Sequence, residues 1–545
     1  GNPAWSLLLT SEFWFQQILD QRNCGDMLDF SVTNVGLGDR ETVFAYSPAY
    51  LAFSDLRNEG KSFSIGEFGA QVHPAFEGRG YSWETEAGAS QRYHLIAHHM
   101  FVMGGSMIND WDWQDLDYYT FPWGVVHEGD LADKDLLYTY RNLGVLYRYF
   151  QPAWQPPKVW CLIEDDHRYG GQYFKVTQHL MDALDLLSRS HIDFAVANSW
   201  KLDTVPKDAK VLFWPIPYTP SDETVARLKQ RVEAGATLIV TGDLSCGPEK
   251  RRTRQSRLEE LCGVRFEAEA WPALQYPRDA EQQITASDGF TWQGAPAIRI
   301  SLAGAKALAS DEEGRPVITE FALGQGKVLF STDPICLHST AKEKNRQAEG
   351  AKVYSWLLRE ADAPRLALSP DDPDVRVNTL PTKDGTEVVG LYNASDDRTI
   401  TVRVDAFGHQ ASLTLPPLFP ALIAYKEGQL VALEAHGEVT VDGVQVKQGV
   451  AFAGLLSLDG KALSTSQAVL VLPFSSGHLQ LAGSRSGWIA GELQAGTFVE
   501  YDRGSLDSSL LLDDDLATCL IILTTPETEA LAKQAVEALF PKASK

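Results

Sequence analysis

The rhythm of hydrophobic positions changes along this chain and divides it into regions. Up to about residue 155, apolar positions at helical spacing alternate with short apolar runs. Helices are expected over residues 12–21, 46–58, 91–103 and 136–150, and strands over 27–33, 62–66 and 106–111. This βαβα alternation implies a parallel sheet with helical crossovers. Pro152, Pro156 and Pro157 mark a linker. A second α/β stretch follows, with strands over 159–163, 194–197, 211–215, 237–241 and 327–331 and helices over 173–190, 221–233 and 343–360. Ser221 reads as an N-cap, and Leu323-Gly324-Gln325-Gly326 as a tight turn before a strand. From about residue 361 the period falls to two, with frequent turn residues, as in a β-sandwich. Residues 526–539 read as a terminal helix.

Composition narrows the classes. With 545 residues, several domains are expected. Hydrophobic residues make up 44% and charged residues 22%, as in folded globular chains. The 72 acidic against 48 basic residues leave a formal charge of −24, which repels phosphate backbones and argues against nucleic-acid binding. No apolar run reaches the ~18 residues of a membrane span. The opening Gly1-Asn2-Pro3-Ala4-Trp5 has no basic segment of the kind that begins a signal peptide. It also lacks an initiator Met, which points to processing ahead of it. The six cysteines, Cys24, Cys161, Cys246, Cys262, Cys336 and Cys519, form no CxxC pair. They are expected to be buried free thiols, which fits a reducing, cytoplasmic compartment.

The chemistry concentrates in two short segments. Phe63-Ser64-Ile65-Gly66-Glu67-Phe68-Gly69 places a carboxylate at the end of a short strand between glycines that let other groups approach. In a (β/α)8 barrel, strand ends at the C-terminal face carry the chemistry, although a solvated turn glutamate gives the same local pattern. The next strand reads Ile108-Asn109-Asp110-Trp111-Asp112-Trp113-Gln114-Asp115. Carboxylates interleaved with indoles suit neither a surface nor a core, but they suit a sugar, whose ring faces stack on indoles and whose hydroxyls bind carboxylates. His73, Trp83, Trp123 and His127 are candidates for further walls, and Asn34 for orienting the substrate or the nucleophile. The alternative is an aromatic cluster that only packs.

These motifs resemble the retaining glycoside hydrolases of the large (β/α)8 clan, and above all glycoside hydrolase family 42, the β-galactosidases. The clan's nucleophile, a Glu ending the seventh strand, matches Glu67. Asn109-Asp110-Trp111-Asp112-Trp113-Gln114 is similar to the family's eighth strand, and Trp123-Gly124-Val125-Val126 to its His-Gly-Ala-Val segment. Val232 to Thr241, Leu258 to Val264 and Gly324 to Val328 resemble the flavodoxin-like domain that follows the barrel and commonly helps build a trimer. The family's sugar-recognising Glu and His fall on Thr120 and Trp123 here, a change that leaves galactose, glucose and mannose open as the sugar. The clan's acid/base Glu has no counterpart. Glu12 lies only 55 residues before Glu67, too close for three βα units at ~30 residues per βαβ unit.

The resemblance therefore implies an α/β fold in four parts. Residues 1–155 form the C-terminal part of a (β/α)8 barrel, and 156–362 a flavodoxin-like domain suited to oligomerisation. Residues 363–430 form a β-sandwich, and 431–545 a second β-rich domain with a terminal helix. A complete barrel takes ~250 residues, so a second chain or an earlier segment is expected to complete it. The implied activity is that of a retaining, exo-acting β-glycosidase using Glu67, acting on a glycoside, oligosaccharide or polysaccharide. Neither cofactor nor metal is called for. The competing reading is a carbohydrate-binding pseudoenzyme or a subunit of a glycosidase complex. Cys246 lacks the glycine two residues earlier that an amidotransferase elbow needs. The run Glu164-Asp165-Asp166-His167 is expected to be a solvated acidic loop.

Overall fold

The computed structural model describes residues 30–34, 48–49, 51–52, 55–60, 62–68, 71–72, 82–83, 85–105, 107–110, 112–115, 123–164, 167, 173–271, 275–340, 343–483, 485–507 and 509–540. These fall into two compact units, one of residues 1–35, 41–64 and 156–365, the other of 36–40, 65–155 and 366–545. The expected helix over 12–21 lies outside the described residues. Of the one expected over 46–58, residues 48–49 and 51–52 are helical, and a 3-10 turn follows at Arg57–Glu59.

The first unit is built on a nine-stranded sheet. Five of its strands are parallel, in the order Phe194–Asn198, Val159–Ile163, Val211–Pro215, Thr237–Thr241, Gly326–Ser331. Numbered along the chain, this is the 2-1-3-4-5 order of flavodoxin-like sheets. Strand Val159–Ile163 is buried throughout, and Thr237–Thr241 all but its first residue. Such strands are covered by helices on both faces, which explains their unbroken apolar sequences. The region between residues 264 and 323 extends the sheet with antiparallel strands, Pro316–Leu323, Lys306–Asp311, Gln282–Ala286 and Thr291–Gly294. Trp160, Leu212, Trp214, Val240 and Phe330 centre one core of this unit.

In the second unit two antiparallel sheets of seven and nine strands enclose a core containing Val377, Leu391, Val402, Leu413, Ile423, Val471 and Ile521. Strands before and after residue 430 share both sheets. The hairpin joining Pro420–Lys426 to Gln429–Ala435 turns through Glu427 and Gly428, both at positive φ. Two such residues in sequence match the right-handed twist of the strands they connect. In the seven-stranded sheet Ile400–Ala406 alternates buried and exposed, with one face in water. In the nine-stranded sheet Val469–Pro473 and Leu520–Thr524 are buried at every residue. Their second face lies under the helices Glu86–Val102 and Asp135–Tyr149, where Phe101, Val102, Val145 and Leu146 meet Val388, Leu422, Leu470 and Ile522. The fit is close, because a Cβ on Gly390 would stand 2.2 Å from Val102.

Helix Glu86–Val102 begins five residues earlier than its apolar spacing indicates. Its first turn carries no core residue before Ala89 and is set instead by Thr85, whose hydroxyl accepts from the Gly88 amide at 3.1 Å. All five described cysteines are buried free thiols, as the sequence suggests.

The glycine turn of the first unit gives a direct test. A Cβ at Gly326 would lie 2.1 Å from the Ala236 carbonyl oxygen and 2.4 Å from that of Val232. Backbone atoms cannot swing aside, so Gly326→Ala is expected to cost at least the ~1–3 kcal/mol of an overpacked site. A lowered unfolding midpoint in urea, followed by the fluorescence of the buried Trp160 and Trp214, checks this.

Candidate active site

The strand Ser62–Phe68 carries Glu67 as its last residue but one, so Glu67 lies within the strand rather than just after it. This strand is the middle member of a three-stranded sheet, between Phe30–Asn34 and Met107–Asp110. Asn34 ends the first of these, and Asn109 and Asp110 end the last. Of the strand expected over 106–111, Met107–Asp110 is extended. The strand Asp112–Gln114 pairs in parallel with Gly124–Val126. Trp111, His73 and Thr120 lie outside the described residues. Trp83 ends the short strand Ser82–Trp83.

The Asp112–Gln114 pairing is held from below by a buried charge. Asp115 has no exposed surface; its Oδ1 accepts from the Gly124 amide at 2.9 Å and from Lys134 Nζ at 2.6 Å. Only glycine fits at 124, since a Cβ there would stand 2.2 Å from the Gln114 carbonyl carbon. His127 continues the network. Its Nε2 lies 2.8 Å from Glu86 Oε1, and its Nδ1 is 3.8 Å from Asp115 Oδ2. Asp135 begins the helix after Lys134, and partial burial together with Glu86 and Asp514 raises its carboxyl pKa.

Trp113 is 66% exposed, the most exposed tryptophan among the described residues, while Trp123 is half-buried. A rigidly held strand presenting a bare indole is poor packing but a good platform for an apolar ring face. The structure thus brings Trp113, Trp123 and His127 to one strand pair in the second unit. Sequence reading missed Lys134, Glu86 and the role of Asp115. Asp115 was visible at the end of the quoted motif, but nothing local marks Lys134, 19 residues on, as its partner.

The first unit offers a weaker candidate. A shallow cavity of about 320 Å³, open space at its mouth included, is lined by Ile216, Tyr218, Gly242, Asp243, Arg252, Ala297, Pro334 and Leu337. It sits at the strand ends where α/β sheets bind ligands, and Ile216 and Tyr218 have φ of 39° and 44° there. Asp243 already pairs with Arg252 at 3.1 Å. Burial, then the Asp243 charge, pushes the Cys246 thiol up to about 11, away from the thiolate form a nucleophile uses. Glu164 is not the solvated residue expected. It is buried and accepts from Trp214 Nε1 at 2.9 Å, while His167 Nε2 meets the Thr219 hydroxyl at 2.8 Å. A buried indole N–H needs an acceptor, and Glu164 supplies it. Asp165 and Asp166 lie outside the described residues.

No protein-family model and no curated protein matches this sequence. Solved structures do match. The β-galactosidase from Rahnella sp. R3 superposes with a TM-score of 0.59 at 16% identity, over 75% of this chain and 62% of that one. A catalytic mutant of a family 42 β-galactosidase from G. stearothermophilus gives 0.57 at 15% identity, over 76% and 62%. The β-galactosidase from Bacillus circulans sp. alkalophilus gives 0.56 at 14%, over 75% and 62%. The chain thus spans about three fifths of the length of these proteins. Its fold is that of the family 42 β-glycosidases: barrel elements, a flavodoxin-like sheet and antiparallel β domains.

The buried pair invites a double-mutant cycle. Asp115→Ala and Lys134→Met each strand one charge in the interior and are expected to cost ~3–5 kcal/mol, whereas the double variant costs less than their sum. Thermal unfolding of the three variants measures this, and additive losses would show that the pair does not act as a unit.

Proposed function

We propose that this chain carries the nucleophile side of a retaining, exo-acting β-glycosidase site, with Glu67 as the nucleophile. The observation that carries this reading is the exposed Trp113 on a strand locked by Asp115 and Lys134, within a fold of the family 42 type and following the Glu67 strand in the chain. An indole platform beside strand-end carboxylates is chemistry for a sugar ring. The Glu67 carboxylate attacks the anomeric carbon, a C–O bond forms to the enzyme, and the glycosidic C–O bond breaks. The leaving oxygen takes a proton from an acid, whose conjugate base then strips a proton from water to release the sugar. Asn34, Asn109, Asp110 and Asp112 would hold hydroxyls, and Trp111, Trp113, Trp123 and His73 would wall the ring.

Retention needs two carboxyl groups ~5 Å apart across the sugar. In this reading the second comes from barrel strands outside this sequence, on another chain or on an earlier segment. The flavodoxin-like sheet is the element by which copies would assemble into an oligomer.

A 2-deoxy-2-fluoro-β-glycoside with a dinitrophenolate leaving group tests the nucleophile, since it needs no acid catalysis to react. With galactose, glucose and mannose versions in turn, peptide mass mapping is expected to find one sugar fixed on Glu67, and none after Glu67→Gln. Attachment elsewhere would assign the nucleophile to another residue, and no attachment with any of the three while the sugars still bind would make the chain a binder and not an enzyme. Trp113→Ala is expected to weaken sugar binding by ~2 kcal/mol, about 30-fold, as for a buried anchor. An unchanged affinity by calorimetry would reduce Trp113 to a structural residue.

A further inference from the structure

Away from this site, the second unit holds a cluster that the proposed chemistry does not use. His94 and His98 stand four residues apart on one face of the helix Glu86–Val102. Glu434, 340 residues from His94 in sequence, reaches them from the strand Gln429–Ala435 of the nine-stranded sheet. All three side chains are buried, with relative exposures of 2%, 1% and 0%. One nitrogen of each imidazole and a carboxylate oxygen lie within 4.8 Å of one another.

Ordinary hydrogen bonding leaves this cluster incomplete. Glu434 Oε1 is bonded to His94 Nε2. His98 Nδ1 lies 2.8 Å from Glu434 Oε2, yet neither atom has a partner at hydrogen-bonding geometry, and His98 Nε2 has none either. Each neutral imidazole brings one N–H, and here only His94 directs one at the carboxylate. A cation accepts lone pairs from all three groups together. Ligands at ~2.0–2.1 Å in a tetrahedron stand ~3.3 Å apart, so the 2.8 Å separation has to open by about half an ångström as the ion enters. The surroundings are those of a closed site. The His94 ring stacks on Phe474 at 3.9 Å and leans on Phe452 at 4.7 Å. An apolar shell strengthens coordination and excludes competing water.

We propose that His94, His98 and Glu434 bind one divalent transition-metal ion, zinc by its ligand chemistry, and thereby fasten the helix Glu86–Val102 to the β-sandwich. Two imidazoles and a carboxylate are borderline and hard donors that suit Zn²⁺. The role is structural: the ligands come from elements far apart in sequence, so the ion binds only the folded unit and stabilises it.

The test uses the full chain, purified without chelator or affinity tag and analysed by inductively coupled plasma mass spectrometry. About one zinc per chain is expected. Removal with dipicolinate should lower Tm by several degrees, and added Zn²⁺ should restore it. Glu434→Gln and His98→Gln should lose the ion and the response to chelator while keeping the circular dichroism of the wild type. Should either variant fail to fold, Co²⁺ substitution of the wild type decides, with visible d–d absorption expected for a low-coordinate N₂O site. Three results would overturn the proposal: no bound ion with a Tm indifferent to zinc, retention of the ion by folded His98→Gln, or colourless cobalt protein. Each would make the triad a proton-bridged carboxylate.

Discussion

The second unit depends on burying the helix Glu86–Val102 on nearly every side. From Ala89 to Val102 every residue except Gln91 is buried, including Arg92, His94, His98 and His99. A helix enclosed this way has no polar face to turn to water, so each polar group on it must find a partner inside. Burial, then the His98 and Arg376 charges, drives the His99 imidazole down to about 3, so it stays neutral against the Tyr392 ring. The nine-stranded sheet is shaped by the same constraint, because it packs the sandwich core on one face and this helix on the other.

Rigidity and exposure are divided sharply at the candidate active site. Asp115, Lys134 and Gly124 form a fully buried support. A few residues away Trp113 stands open to solvent. Evolution of a stable surface would bury or remove that indole, whereas a ligand that covers it makes the exposure useful. Pre-organised support beneath an exposed binding face lowers the entropy lost when the ligand docks.

Much of the architecture was legible locally. Val159-Trp160-Cys161-Leu162-Ile163 and Thr237-Leu238-Ile239-Val240-Thr241 read as buried parallel strands, and they are. The turn at Gly324 and Gly326 was visible as a pair of glycines, and the structure shows backbone of the preceding helix and turn pressed against both. The short strands Gln282–Ala286, Thr291–Gly294 and Ile298–Leu302 went unread, although each alternates covered and open positions, because four or five residues make too brief a pattern to stand out. In the site, the indole–carboxylate motif could be read, but the pairing of Asp112–Gln114 with Gly124–Val126 could not, since a strand's partner is not written in the strand itself.

The sequence by itself determined the periodicities: helix against strand, one covered face against two. Ile400–Ala406 alternates and is half-solvated, while Leu520–Thr524 is continuously apolar and enclosed. These patterns follow from the solvation of each side chain, which depends on the residue itself. Tertiary structure alone decided which polar groups meet. The His94-x-x-x-His98 spacing was present in the sequence, but its carboxylate stands 340 residues from His94, and the lysine that neutralises Asp115 stands on another element. An ionic or coordination partner is chosen by distance in space, and folding sets that distance only when the helix and the sheet close over the same core.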